Sequence, residues 1–300
     1  MRGSVRRRLG ALTVAAWLAA TGLTGCRARP QPCVVTGVAV DLGQAAPPIE
    51  AIGLGRDDLR RTALEALGRT PGFRVPDGEP GKGARLCRGT ITFEDARVAI
   101  VNGVQHAEVI LRHDVAPGDD ASAIGETVRS TEAVRPGEPL AAAFRRAVES
   151  GSLRAASAVG LALAEEAKPD ADVIRDLESG DPRLRDLAVR VLSDRKNAAA
   201  VPALVARLQD PDPAVASRAV GALALIGDPR AVGPLIELSR RREGPFVVQM
   251  VRAVGDIGGA EAEAYLETLA AGHPDPQVAA AARDALLDAQ RRKREGGAGR

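Results

Sequence analysis

Few residues in this 300-residue chain could do chemistry, and their spacing does not assemble them. There are three histidines. His106 and His113 fall in a stretch that reads as one strand, seven positions apart. An odd offset sends their side chains to opposite faces, so they do not share a metal. His273 precedes Pro274 between repeat units, where a surface position is expected. Gly81-Lys82-Gly83 lacks the Gly-x-x-x-x-Gly-Lys-Ser/Thr spacing of a phosphate loop and reads as a solvated turn. There is no Gly-x-Ser-x-Gly elbow, and neither Cys33 nor Cys87 has an evident partner base. The acidic pairs Asp119/Asp120, Glu165/Glu166 and Glu261/Glu263 read as loops and solvated helix faces. The expectation is a chain without catalytic residues, cofactor or metal.

Charge that could serve binding recurs in the second half. Arg185, Arg190, Arg218, Arg252 and Arg283 lie on successive helical stretches. They are candidates for gripping acidic groups on a partner. The alternative is that they pair with neighbouring acids such as Asp186, Asp212 and Asp284 and keep the stack soluble.

The elements that carry these arginines repeat. Asp181-Pro182, Asp212-Pro213 and Asp275-Pro276, with Glu243-Gly244-Pro245 between the last two, place acidic residues 31, 31 and 32 positions apart. Asp is a good N-cap and Pro suits the first helical position. Val215, Ala219, Ala222, Leu223 and Ile226 then fall on one helical face, as do Phe246, Met250, Ala253, Val254 and Ile257. Gly227 and Gly258 close two of these helices. Shorter apolar-faced helices around 201–208, 232–236 and 262–269 lie between. A unit of this length cannot bury its apolar face alone and must stack on its neighbours.

The stretch 219–235 (AVGALALIGDPRAVGPL) resembles the HEAT repeat, in the short form also found in phycobilisome lyases, and 253–258 (AVGDIG) is similar more loosely. The resemblance spans about 170–290. It implies an all-α solenoid of about four helix pairs wound as a right-handed superhelix, and a surface for holding proteins. Some HEAT-like proteins are metal-dependent hydroxylases with His-Glu pairs on successive helices. No His-Glu dipeptide occurs here, and the solenoid holds one histidine. The residues shared with phycobilisome lyases are packing positions.

The amino terminus carries an address. Arg2, Arg6, Arg7 and Arg8 precede an apolar run over 9–20, the pattern of a secretory signal peptide. The run is shorter than the ~20 residues a membrane span needs. Leu23-Thr24-Gly25-Cys26 resembles the bacterial lipobox, which implies cleavage before Cys26 and lipidation of that cysteine. An ordinary signal peptide or an uncleaved helix is the alternative. Arg27, not aspartate, follows the cysteine, and the resemblance to enterobacterial lipoprotein sorting implies the outer membrane. The precursor carries a net charge of +2. Loss of four signal arginines leaves the remainder near −2, so composition gives no case for nucleic-acid binding. With Cys26 lipidated, Cys33 and Cys87 remain as an even pair in an oxidising compartment. They are expected to form a disulfide, or else to stay as two half-buried thiols.

The region 33–168 has another texture. It reads as strands at 34–40, 85–93, 98–101, 104–115 and 126–134, with a helix capped by Asp57. A second helix runs from Pro139 to about 168, weakened near Gly151. Asn102-Gly103 is a hairpin turn. Ala45-Ala46-Pro47-Pro48 and 76–83 read as loops. The order β-α-β-β-β-β-α is an α+β domain, similar to small α/β domains of envelope proteins such as the amino-terminal domain of the Tol-system periplasmic protein or accessory outer-membrane lipoproteins.

The expected organisation is a lipoprotein signal peptide (1–25), a lipidated linker (26–32), the α+β domain (33–168), the HEAT solenoid (169–290) and a basic disordered tail (291–300). The expected function is a non-catalytic, lipid-anchored envelope scaffold holding an unidentified protein. The alternatives are a lyase- or isomerase-like enzyme with a pocket between the domains, or an accessory subunit of an envelope transport or assembly complex.

Overall fold

The computed structural model describes residues 31–118 and 122–297. Leu23, Thr24, Gly25, Cys26, Asp119 and Asp120 lie outside the described residues.

The first unit is one five-stranded sheet with helices against it. Its elements are β1 (Cys33–Asp41), α1 (Ala46–Ala51), α2 (Arg56–Gly68), β2 (Phe73–Arg74), β3 (Leu86–Val101), β4 (Val104–Pro117), β5 (Ile124–Ala133) and α3 (Leu140–Glu166). The strand order is β2-β1-β3-β4-β5. β1 runs parallel to both β2 and β3, and the rest is antiparallel. Cys33 and Cys87, on the neighbouring strands β1 and β3, are joined as a disulfide with Cα atoms 5.6 Å apart.

The structure corrects several sequence expectations. The stretches 85–93 and 98–101 belong to the single strand β3, interrupted by a bulge between Phe93 and Asp95. The bulge flips the alternation: Ile91 and Phe93 are buried before it, Ala96 after it. Pro47 and Pro48 do not lie in a loop; they occupy the first turn of α1, where no amide partner is needed. The cap of α2 is Gly55, and Asp57 and Asp58 sit in its first turn, favourably placed for the helix dipole. Gly151 does not weaken α3, which is continuous. A Cβ there would come 3.0 Å from Leu111 and Ser130, so the glycine lets the helix lie close on the sheet.

Arginines cover the outer side of β1 beyond its short pairing with β2, and the outer side of β5. From α2, Arg60 and Arg56 donate to the carbonyls of Val38 and Val40 at 3.1 and 2.9 Å. From α3, Arg154 and Arg146 donate to those of Arg129 and Ala133 at 3.0 and 2.9 Å. Strand addition by another chain is thereby discouraged.

The second unit is a series of helices consistent with a HEAT-type solenoid. It comprises four successive pairs: α4 (Asp170–Asp176) with α5 (Pro182–Asp194), α6 (Val201–Arg207) with α7 (Pro213–Ile226), α8 (Val232–Ser239) with α9 (Pro245–Ile257), and α10 (Ala260–Gly272) with α11 (Pro276–Gly297). One apolar cluster runs through all four, from Val173 to Ala285. The side chains of Asp181 and Asp212 accept from the amides of Arg183 and Ala214 at 2.9 and 2.8 Å, and Asp275 accepts from Gln277 at 2.8 Å. Gly244 fills the equivalent position of α9 without a side-chain cap. Gly227 closes α7 at φ 71° in the left-handed region. The basic segment from Arg291 begins as helix, since α11 continues to Gly297. Arg292 is docked there, donating to the carbonyl of Gly255 at 2.7 Å.

The units meet through α3 and α5. Leu187 of α5 packs into the core of the first unit, and Arg190 pairs with Glu126 of β5 at 3.2 Å. Arg195 donates to the carbonyls of Lys168 and Glu166 at the end of α3, at 3.1 and 2.7 Å.

Candidate functional site

The face that presents side chains outward in register is that of the second helices. On α7 the core stripe is Val215, Ala219, Ala222 and Leu223. On the far side of that helix, Ala214, Ser217, Arg218, Gly221 and Leu225 recur at helical spacing. With Arg190 and Asp194 of α5 and Gln249 of α9 they line a groove of about 510 Å³. Gly221 forms open floor, since a Cβ there would meet nothing within 4 Å. Leu225 stands 62% exposed at one end.

Polar rungs fix the geometry of the groove between repeats. The Ser217 hydroxyl donates to Gln249 Oε1 at 2.7 Å, and Gln249 Nε2 donates back to the Ser217 carbonyl at 2.8 Å. Arg218 pairs with Asp186 one repeat earlier. Both rungs join residues 32 positions apart, so the sequence period becomes a spatial ladder.

The five candidate arginines separate here. Arg185 is corrected: it is 6% exposed and faces no partner. Its Nε and Nη2 donate to the fully buried Asp210 carboxylate at 2.8 and 2.7 Å, and Nη1 donates to the Ser179 carbonyl at 2.8 Å. The Arg185 guanidinium holds Asp210 below the usual carboxylate range against the opposing effect of burial. This pair ties α5 to the turn after α6. Arg190 and Arg218 line the groove, each with an acid of its own. Arg252 is exposed on α9. Arg283, exposed on α11, donates to the Ala270 carbonyl at 3.3 Å.

A second, broader groove of about 1130 Å³ lies between α8 and α10. Within it Tyr265 and Ser239 share a hydrogen bond of 2.5 Å. His273 Nδ1 accepts from the Asp275 amide at 3.1 Å, a turn contact in keeping with a structural histidine. Neither groove takes a lining residue from 33–168. Among the described residues, no group of three His, Cys, Asp or Glu is placed to hold a metal.

Glu165 does not lie on a solvated helix face, as its sequence context suggests. Glu165 is fully buried and its Oε2 meets Lys168 Nζ at 2.5 Å. Lys168 meets Asp176 at the same distance. Burial pushes the Glu165 carboxyl up, with Lys168 opposing. The triad fastens the joint between α3 and α4. His113 is a second buried polar group that its sequence neighbours do not signal. It points into the core from β4, and burial lowers its pKa to about 4.

Residues 171–249 match the family model of HEAT repeats. The bilin biosynthesis protein PecE of Mastigocladus laminosus is 37% identical over 82 residues, which are 27% of this chain and 30% of PecE. The chain therefore spans under a third of that relative. The crystal structure of an engineered protein is similar at 21% identity, over 46% of this chain and 74% of its own, with a TM-score of 0.33. A PelC dodecamer from Paraburkholderia phytofirmans is similar at 14% identity, over 43% and 89%, with a TM-score of 0.24.

Proposed function

We propose that this protein is a non-catalytic scaffold of the bacterial cell envelope, anchored by lipid at Cys26, whose second-helix groove holds a segment of another protein. The observation that carries the reading is the groove itself. It combines open floor at Gly221, an exposed aliphatic at Leu225 and the polar rungs of Ser217, Gln249 and Arg218 on a rigid helical ladder. Helices locked between repeats lose little freedom when a partner docks, which favours binding. In this reading the helix pairs wind as a right-handed superhelix, and the first unit orients the stack through Arg190, Glu126 and Leu187. Attachment to the periplasmic side of the outer membrane would raise the local concentration of the groove, so modest affinity suffices.

The test is crosslinking with mass spectrometry in intact cells, comparing the wild-type chain with an Arg218→Glu, Arg252→Glu variant. A reproducible protein neighbour that the variant loses supports the proposal. An unchanged set of neighbours contradicts it.

A further inference from the structure

The β3–β4 hairpin ends in a tip unlike the rest of the surface. Residues 98–104 read Val-Ala-Ile-Val-Asn-Gly-Val, and no charged residue occurs from 98 through 105. Val98, Ile100, Val101 and Val104 are 41%, 73%, 48% and 45% exposed. Asn102 and Gly103 form the apex with φ of 50° and 77°, the conformation a two-residue hairpin turn requires.

These side chains leave both faces of the hairpin. Val98 lies opposite Ala107, on the face that continues inward to Val109 and Leu111. Ile100, two residues further, shares that face, whereas Val101 and Val104 form a pair on the other. A tip apolar on one face would suit a flat protein surface. One apolar all round suits a medium that surrounds it.

Size selects between the surrounding media. A stable protein interface takes about 800 Å² and 20–30 residues from each partner, which seven tip residues cannot supply. The tip projects on the order of 10 Å beyond Val98 at strand rise. That matches the ~5–10 Å depth at which interfacial elements sit at the boundary of headgroups and acyl chains. Pairing of β1 with β3 ends at Thr92. Beyond it the outer edge of the hairpin keeps backbone groups that need water, so its insertion stays shallow.

We propose that the tip at residues 98–104 inserts into the headgroup region of a lipid bilayer. It is a membrane contact separate from the amino terminus. β1 begins at Cys33, beside the Leu86 end of β3, on the order of 40 Å from the tip along the strand. The seven residues from Cys26 to Cys33 reach at most ~25 Å, so an acyl anchor would not bring the tip to the membrane by itself, and the two contacts share one bilayer only with the hairpin inclined toward its plane.

The experiment places a photo-crosslinking amino acid at Ile100, or at the exposed Arg61 of α2 as control, in the full chain produced in cells. Digestion and mass spectrometry then identify each adduct. The expected result is a lipid adduct at position 100, at least about tenfold above position 61. With the crosslinker moved to Val104, an added Ile100→Asp substitution should lower the lipid adduct about tenfold while circular dichroism is unchanged. A protein adduct, a second copy of the chain, or lipid labelling equal at both positions would each overturn the proposal.

Discussion

Acid should loosen this protein through His113. The imidazole is 1% exposed, on the inward face of β4 with Val109, Leu111 and Val115, and its Nε2 has no hydrogen-bond partner. Ile91 lies across from it on β3 and Glu126 on β5. Burial lowers its pKa from 6.5 to about 4, with Asp114 opposing. Between these values the unfolded chain binds the proton and the native protein does not. The contribution is therefore complete above pH 6.5 and falls away as pH drops toward 4. At about 1.4 kcal/mol per decade it totals about 3 kcal/mol, of which about 2.5 kcal/mol is lost between pH 7.5 and 4.5. The assay is urea unfolding at those two pH values for the wild type and His113→Gln. Glu165, raised by burial, favours the opposite trend but is common to both proteins. The variant should show a pH dependence smaller by about 2.5 kcal/mol. Equal pH dependence in the two proteins would refute the reasoning.

Four further outcomes follow from packing, capping and the disulfide. Gly255→Ala should destabilise by about 1–3 kcal/mol, because its Cβ would lie 2.6 Å from that of Ala285 where α9 meets α11. Gly221→Ala, with open space around it, should stabilise by about 0.5–1 kcal/mol; thermal unfolding checks both signs. Asp212→Ala removes the acceptor for the Ala214 amide and should cost about 1 kcal/mol in urea unfolding. Reduction of Cys33–Cys87, 54 residues apart, should cost about 4 kcal/mol by loop entropy, read as a lower urea midpoint with reductant.

The helical half was legible because its signals are local. Asp-Pro caps, closing glycines and a 3.6-residue apolar stripe each lie within one turn of what they determine, and the repeat states them again every 31 or 32 residues. The sheet was less legible where partners are distant. At Glu94 the alternation changes phase, and without β4 in view the bulge looks like the end of one strand and the start of another. Gly151 resembles a helix breaker until Leu111 and Ser130 are seen against it.

The same limit held at the groove. Arg185 stands four residues after Asp181 and Arg218 six after Asp212, so the two lie on different sides of their helices. Only the fold reveals that Asp210 reaches back to bury the first, while the second stands half-exposed beside Asp186. Glu165 and His113 carried no local sign of burial. The first is set by Lys168 and Asp176 across a joint, the second by the register of β4 between β3 and β5.

The claim that the second-helix face holds a protein is tested most directly by a photo-crosslinking residue at Leu225, in the groove, compared with one at the exposed Glu267 of α10. In cells, position 225 should give one discrete protein adduct that Arg218→Glu removes, and position 267 should not. Matching adducts at both positions, or none at Leu225, would contradict the account.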